Sequence, residues 1–545
     1  MSNSTPSATA PQHHHEHHHF DHDSPVVTDH RQQNVILAAM SVALVAVVAS
    51  VSGLNTAQQD IAIDLGASQS QILWIINGYT LALAALLMPI GAIGDRWGRR
   101  PVLLTGLVIF TLSNLGAGLA DSVTALLVAR VAAGVGAAMI MPVTLSVITS
   151  SFPASERARA VGVWAGFAGA GGIIGLFTSS FLIDYFTWPW LFALPAVLAV
   201  VAIGATLFAV PNSSEHDGSR FDTVGSLLSA VAIGGVVLGV HEGPEQGWTH
   251  GITVAALVVG ALAATAFAFW ELRRSHPLFD VRLLADRALA SGALILLTLF
   301  GIMFGIFLVL IQFLQAVVGW SALASATGLL PMAAVMMPLS AAAPRIAERV
   351  GTRRVALTGL TVFLGGLVLL ATMVSAEGGY WSIMPGLMAV GVGMGLSMTP
   401  ATTAITASLP VEKQGVASAL NDTVRELGGA LGIAVLGSIL NAGYRSAMGD
   451  ATAGLPAEAA EAASEGIGAA FGVAGEMGPA GADLIDAAQH SLVVGWQRSM
   501  WAGAAMAAVA LVFVAWRGPR PARGVPEQAG SDNEQTGETS VVVVP

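Results

Sequence analysis

The sequence predicts an all-α, polytopic membrane protein with fourteen spanning helices, and three observations carry that expectation. Apolar runs of about twenty residues recur along the chain, each long enough to cross a bilayer core of roughly 30 Å as a helix. Of the 545 residues, 54% are hydrophobic and only 10% charged, and the mean hydropathy is +0.70. A soluble chain carries roughly a quarter charged residues. Arginine collects in alternate connections between the runs, as expected where loops on one side of a membrane hold the positive charge. A spanning segment must satisfy its own backbone hydrogen bonds, which leaves helices or a closed barrel. These runs are too long, and alternate too little, for barrel strands.

Taken in order, residues 1–33 are a polar tail with no signal-peptide core. Its "HHHEHHHFDHD" offers imidazoles to a transition metal, but composition favours a disordered cytoplasmic segment, and no metal site is expected. The first six spans lie at about 34–57, 71–94, 102–120, 123–149, 160–183 and 189–210, forming a unit over 34–210. Two more, at about 223–241 and 251–271, fall in the segment 211–288 and read as an inserted pair with its linkers. The last six, at about 289–316, 322–343, 354–375, 381–407, 415–440 and 496–516, form a second unit over 289–516. Segment 442–490 within it is the one long external loop, Ala/Gly/Glu-rich and with room for short surface helices, and 517–545 is a second disordered cytoplasmic tail.

Charge sets the orientation. With the N-terminus inside, the inner loops hold Arg96, Arg99, Arg100, Arg157, Arg159, Arg220, Arg273, Arg274, Arg282, Arg287, Arg345, Arg349, Arg353, Arg354 and Lys413. Only Arg445 and Arg498 fall outside. Cysteine is absent, which excludes disulfides and thiol chemistry. No P-loop signature and no G-x-S-x-G occur, so neither ATP drive nor enzymatic activity is expected.

The turn after span 2, "GAIGDRWGRR" at 91–100, concentrates Asp95, Arg96, Arg99 and Arg100 between Gly91, Gly98 and an apolar continuation. Arginine favours the negative end of the helix that stops there. Orientation alone requires neither an acid nor a repeat, yet the pattern returns after span 10 as "PRIAERVGTRR", with Glu348, Arg349 and Gly351 matching Asp95, Arg96 and Gly98. Two six-helix halves with a site between them are a transporter architecture.

Ionisable groups within spans are expensive and are functional candidates by default. Arg130 lies in span 4. Asp422, Arg425 and Glu426 lie in span 13, where offsets of three and four put Asp422 beside both others on one helical face. Self-neutralisation and proton handling are both open to that trio. Asn55, Asn77, Gln312, Gln315, Thr402 and Thr403 are polar span residues that can line a central path.

"GAIGDRWGRR" resembles the loop signature of the major facilitator superfamily. "RVAAGVGAAMIMPVTLSVI", "FDTVGSLL…VHEGPEQGW" and "GVASALNDTVRELGGALG" resemble its fourteen-span drug:proton antiporter branch, over about residues 35–517. The resemblance implies a conformational gate of Gly91, Asp95, Arg96, Gly98, Arg99 and Arg100, echoed by Glu348 and Arg349. In it Asp95 engages the inner start of span 13 near Lys413 and Gly415. It also implies proton coupling through Arg130. The sequence departs from the family in two places. Span 5 has Leu176 for a proline and Ser179-Ser180 for two glycines, and Ser50 stands where span 1 usually has an acid. The expectation is a monomeric, proton-coupled exporter of amphiphilic or lipophilic small molecules in a bacterial plasma membrane. It has no cofactor beyond the proton gradient and no nucleic-acid partner. Export of one endogenous lipid or metabolite, or a non-transporting sensor, are the alternatives.

Overall fold

Long apolar runs become long helices. The computed structural model describes residues 26–52, 54, 57–212, 221–449 and 451–518. Among these residues, fourteen helices are long and apolar enough to cross a membrane, and no strand occurs. Spans 1 to 6 are His30–Ser52, Gln69–Trp97, Arg99–Gly118, Val123–Ser151, Ala154–Tyr185 and Trp190–Ala209. Spans 7 and 8 are Thr223–Gln246 and Gly251–Glu271. Span 9 is Arg287–Ala316; span 10 is Leu330–Val350, preceded by a short helix, Ala322–Thr327. Spans 11 to 14 are Thr352–Thr372, Gly379–Ala407, Gln414–Met448 and Ala482–Arg517. Asn55 and most of both tails, including the His-rich run, lie outside the described residues.

Helix ends differ from the apolar boundaries because caps and packing set them, not hydropathy. Span 1 begins four residues early, at His30, where Gln33 donates to the Val27 carbonyl (2.8 Å) and Val27 N–H to Ser151 of span 4 (2.9 Å). Span 14 starts at Ala482, well before its apolar core, because polar turns cost nothing once they clear the bilayer. Segment 442–490 holds the short helices its composition leaves room for, Ala457–Glu465 and Ile467–Met477, and span 13 runs on to Met448. The Tyr444 hydroxyl donates to the Ala463 carbonyl (3.1 Å), pinning that cap to span 13. Asp222 and Asp286 cap spans 7 and 9 through bonds of 2.9 Å to orphan backbone N–H groups.

Spans 1–6 and 9–14 repeat one packing pattern. In the first set, span 4 packs on 2 and 3, and span 6 on 1 and 3; in the second, span 12 packs on 10 and 11, and span 14 on 9 and 11. The two sets meet along two seams. Span 5 lies against span 10, and span 13 lies against spans 2 and 4. Span 7 packs on both span 2 and span 13, so the extra pair covers the second seam.

Candidate gate and buried-charge site

The turn at 91–100 is built from a helix that must stop. Span 2 ends at Trp97, and Gly98 adopts φ +104°, a left-handed conformation that glycine takes without strain. This directs span 3 away and leaves Asp95 on the seam. The Asp95 carboxylate, 8% exposed, accepts from Gly415 N–H at 2.7 Å and Val416 N–H at 3.1 Å. It also accepts from Arg99 Nη2 at 3.0 Å. Gly415 and Val416 open span 13, where the first N–H groups have no intrahelical partner and the helix dipole favours an anion. A carboxylate there satisfies two orphan donors from the other half. Glycine makes the approach possible, since a Cβ on Gly91 would sit 2.5 Å from the Gly415 carbonyl oxygen. Arg100 plays a different part, donating to the Leu207 carbonyl at the end of span 6 (2.7 Å). Arg96 is exposed. Lys413, which the resemblance placed near Asp95, instead donates to the Pro277 carbonyl (2.8 Å).

The second copy keeps the turn but makes no latch. Gly351 repeats the conformation at φ +94°, and Arg353 donates to the Ala515 carbonyl of span 14 as Arg100 does to Leu207. Glu348 and Arg349, however, are exposed, and neither makes an ion pair among the described residues. The first seam is held by a neutral contact: the Ser340 hydroxyl donates to the Gly162 carbonyl (3.0 Å). Thr399 Oγ1 in turn donates to the Ser340 carbonyl (2.9 Å). A Cβ on Gly162 would lie 2.7 Å from that carbonyl oxygen, so span 5 glycines serve close packing across the halves.

Arg130, 1% exposed, has Ser50 as its partner, the residue at the position where the resemblance implies an acid. Nη1 donates to Ser50 Oγ at 2.9 Å, Ser50 Oγ donates to Asn114 Oδ1 at 3.2 Å, and Asn114 Nδ2 donates to the Phe110 carbonyl at 2.8 Å. The guanidinium lies 4.3 Å over the Tyr79 ring, and the Tyr79 hydroxyl donates to the Val47 carbonyl of span 1 (3.1 Å). Spans 1 to 4 thus converge on a buried cation whose neighbours are neutral, and whose Nε has no partner. Sequence reasoning missed Tyr79 and Asn114. An asparagine, the one amide side chain in span 3, was the available signal.

The span 13 trio divides. Asp422, fully buried, pairs with Arg425 Nη1 at 3.0 Å and accepts from Asn421 Nδ2 at 3.2 Å. Arg425 also reaches span 5 of the other half, with Nη2 3.4 Å from the Ala168 carbonyl and the guanidinium 5.5 Å from Trp164, and within its own half it lies 4.4 Å over Phe300. Glu426 makes no ion pair or hydrogen bond among the described residues, is half-buried, and lies within electrostatic reach of Tyr79 on the other half. Helical spacing placed both acids near Arg425, but the guanidinium fork commits to Asp422. Of the polar path residues, Asn77, Gln312 and Thr403 are half-buried, Thr402 is buried and Gln315 is exposed. No hydrogen bond among the described residues joins them into one lining. Among the described residues, no cluster of three or more potential metal ligands occurs.

Comparison with known proteins agrees with this architecture. A Major Facilitator Superfamily model matches residues 39–433. Multidrug resistance protein Stp of Mycobacterium tuberculosis is 32% identical over 414 residues, covering 76% of this chain and 77% of that protein. Multidrug efflux pump LfrA of Mycolicibacterium smegmatis is 34% identical over 490 residues, covering 89% and 96%. Methyl viologen resistance protein SmvA of Salmonella typhimurium is 30% identical over 469 residues, covering 86% and 93%. Among solved structures, the proton:xylose symporter XylE superposes with a TM-score of 0.55 at 14% identity, over 90% of this chain and 96% of that one. A bacterial homologue of the lysosomal transporter Spinster gives 0.56 at 19% identity, over 90% and 98%. At those identities the structures show a shared fold. The family match, the relatives and the two-half helical architecture agree: this chain is a multi-pass membrane protein and belongs to the Major Facilitator Superfamily of transporters.

Proposed function

We propose that the chain is a proton-coupled exporter of amphiphilic or lipophilic small molecules, monomeric, in a bacterial plasma membrane with both termini cytoplasmic. The efflux and resistance names of its relatives support the substrate class. The arginine distribution supports the orientation. The units 34–210 and 289–516 rock against each other, and the Asp95 latch closes the cytoplasmic side of one conformer.

One observation carries the coupling: Glu426 is unpaired and half-buried at the seam, while Asp422 is consumed by Arg425. An unpaired acid between the halves binds a proton without breaking an ion pair. Its charge then acts on the seam, and hence on which conformer is favoured. Asp422 with Arg425 is the structural member of the trio, and Arg130 is the fixed cation on the opposite half. Flux of a lipophilic dye in proteoliposomes, with and without an imposed pH gradient, tests the reading. Accumulation that follows the gradient supports it; gradient-independent flux overturns the coupling. The altered span 5 favours a second reading, export of one endogenous lipid or metabolite. With Leu176 for the proline and Ser179 and Ser180 buried, that helix runs unbroken from Ala154 to Tyr185. An unbiased substrate screen in the same vesicles separates the two.

A further inference from the structure

The linker after span 8 reaches a place that its sequence does not announce. Phe279, 3% exposed, packs in one cluster with Met88 of span 2 and with Val416, Ala417 and Ala419 of span 13. Leu289 of span 9 and Leu409 at the end of span 12 complete that cluster. Val416 is itself a donor to Asp95, so the apolar contact and the latch share a residue. Two residues before Phe279, the Pro277 carbonyl accepts from Lys413, which immediately precedes the first residue of span 13. Ile233 of span 7 and Phe267 of span 8 border the same cluster, and span 7 already lies along spans 2 and 13. The inserted pair and its linker therefore touch both sides of the seam that Asp95 closes.

This arrangement has a directional consequence. A side chain buried between two bodies is stabilised only while they are together, because their separation returns its surface to water. The Lys413 bond behaves likewise, since it ties the start of span 13 to a segment outside the C-terminal six spans. We propose that the linker around Pro277–Phe279 is a brace for the latch, with Phe279 and Lys413 as positioning residues that bias the protein towards the latched conformer. This rests on the reading of the Asp95 contact as a conformational gate.

The test uses the full-length protein in nanodiscs. The chain has no cysteine, so spin labels at Ser155→Cys on span 5 and Arg354→Cys on span 11 report the separation of the halves directly. Phe279→Ala and Lys413→Met are each expected to raise the open-to-closed ratio at least roughly fivefold. Phe279→Leu, which keeps most of the apolar bulk, is expected to restore it, and Leu284→Ala, exposed in the same linker, to leave it unchanged. If Phe279→Ala and Lys413→Met lower thermal stability without moving the distance distribution, the brace is overturned and the contact is merely structural. Asp95→Asn is measured in parallel. If it opens the protein and the linker variants do not, the brace fails while the gate stands. If the linker variants open it and Asp95→Asn does not, the gate reading fails, and the linker holds the seam by itself and not as a brace for the latch.

Discussion

Replacing Asp95 with Asn tests the latch with almost no change in volume. The wild-type carboxylate accepts from Gly415 N–H, Val416 N–H and Arg99 Nη2 at 2.7, 3.1 and 3.0 Å. Asparagine keeps one acceptor oxygen and turns an NH2 group towards a backbone donor. One N–H of span 13 then loses its partner, and buried Arg99 loses its anion. Hydrogen bonds to charged groups contribute about 1.5–3 kcal/mol each. Removing one, and weakening the other two, costs the latched conformer about 3 kcal/mol, or roughly 150-fold in its population ratio. A conformer favoured roughly hundredfold falls to near parity. The spin-label pair described above should then show a second, longer distance, and flux should fall at least roughly tenfold while expression and insertion persist. An unchanged distance distribution with unchanged flux would refute the argument, since the three bonds would then be present equally in every conformer.

Gly91→Ala should open the same seam with no change of charge, because the added Cβ meets the Gly415 carbonyl oxygen at 2.5 Å; a closed, active Gly91→Ala protein would show that the helices part easily there. Arg130→Lys keeps the charge but loses the planar fork that bonds Ser50 and covers Tyr79. We expect lost coupling with partly retained substrate binding, read by dye binding alongside gradient-driven flux, and full coupling would show that geometry is irrelevant. Glu426→Gln should abolish accumulation driven by a pH gradient while leaving downhill exchange. Asp422→Asn should instead lower thermal stability by leaving Arg425 buried without its anion. If Glu426→Gln still concentrates substrate in response to pH, protons are carried elsewhere.

Hydropathy and arginine placement made the spans legible, because both are one-dimensional consequences of the bilayer. The Asp95 turn was legible for a different reason. Its residues are contiguous, and their repetition at 344–354 marked them out. Its partner at Gly415–Val416 came through the family resemblance, since 320 residues separate the two sides. Repetition also misled: Glu348 copies Asp95 in sequence, but the helix start on its side of the seam receives no carboxylate, and the contact there is Ser340 with Gly162. Helical spacing put Asp422, Arg425 and Glu426 together, but could not tell which acid the guanidinium would take. The Tyr79, Asn114 and Phe279 contacts were illegible because each depends on a neighbour far away in sequence.

Substitution of Ser50 for the family's acid gains its meaning from these contacts. A buried guanidinium with only a hydroxyl, an aromatic face and helix dipoles around it is costly unless a countercharge approaches. On its own half Arg130 has none within bonding distance. Glu426 of the opposite half lies within electrostatic reach of Tyr79, whose ring Arg130 covers. An acid in span 1 would neutralise Arg130 in every conformer. An acid across the seam bears on this site only when the halves are together, and only while it is ionised. On the proposed reading, Glu426 of span 13 supplies the titratable charge that Ser50 does not, and supplies it at the seam. The energy of bringing the halves together then depends on whether Glu426 holds a proton. That dependence is what a proton-coupled transporter requires, and it predicts that coupling follows the charge at 426 and not that at 422.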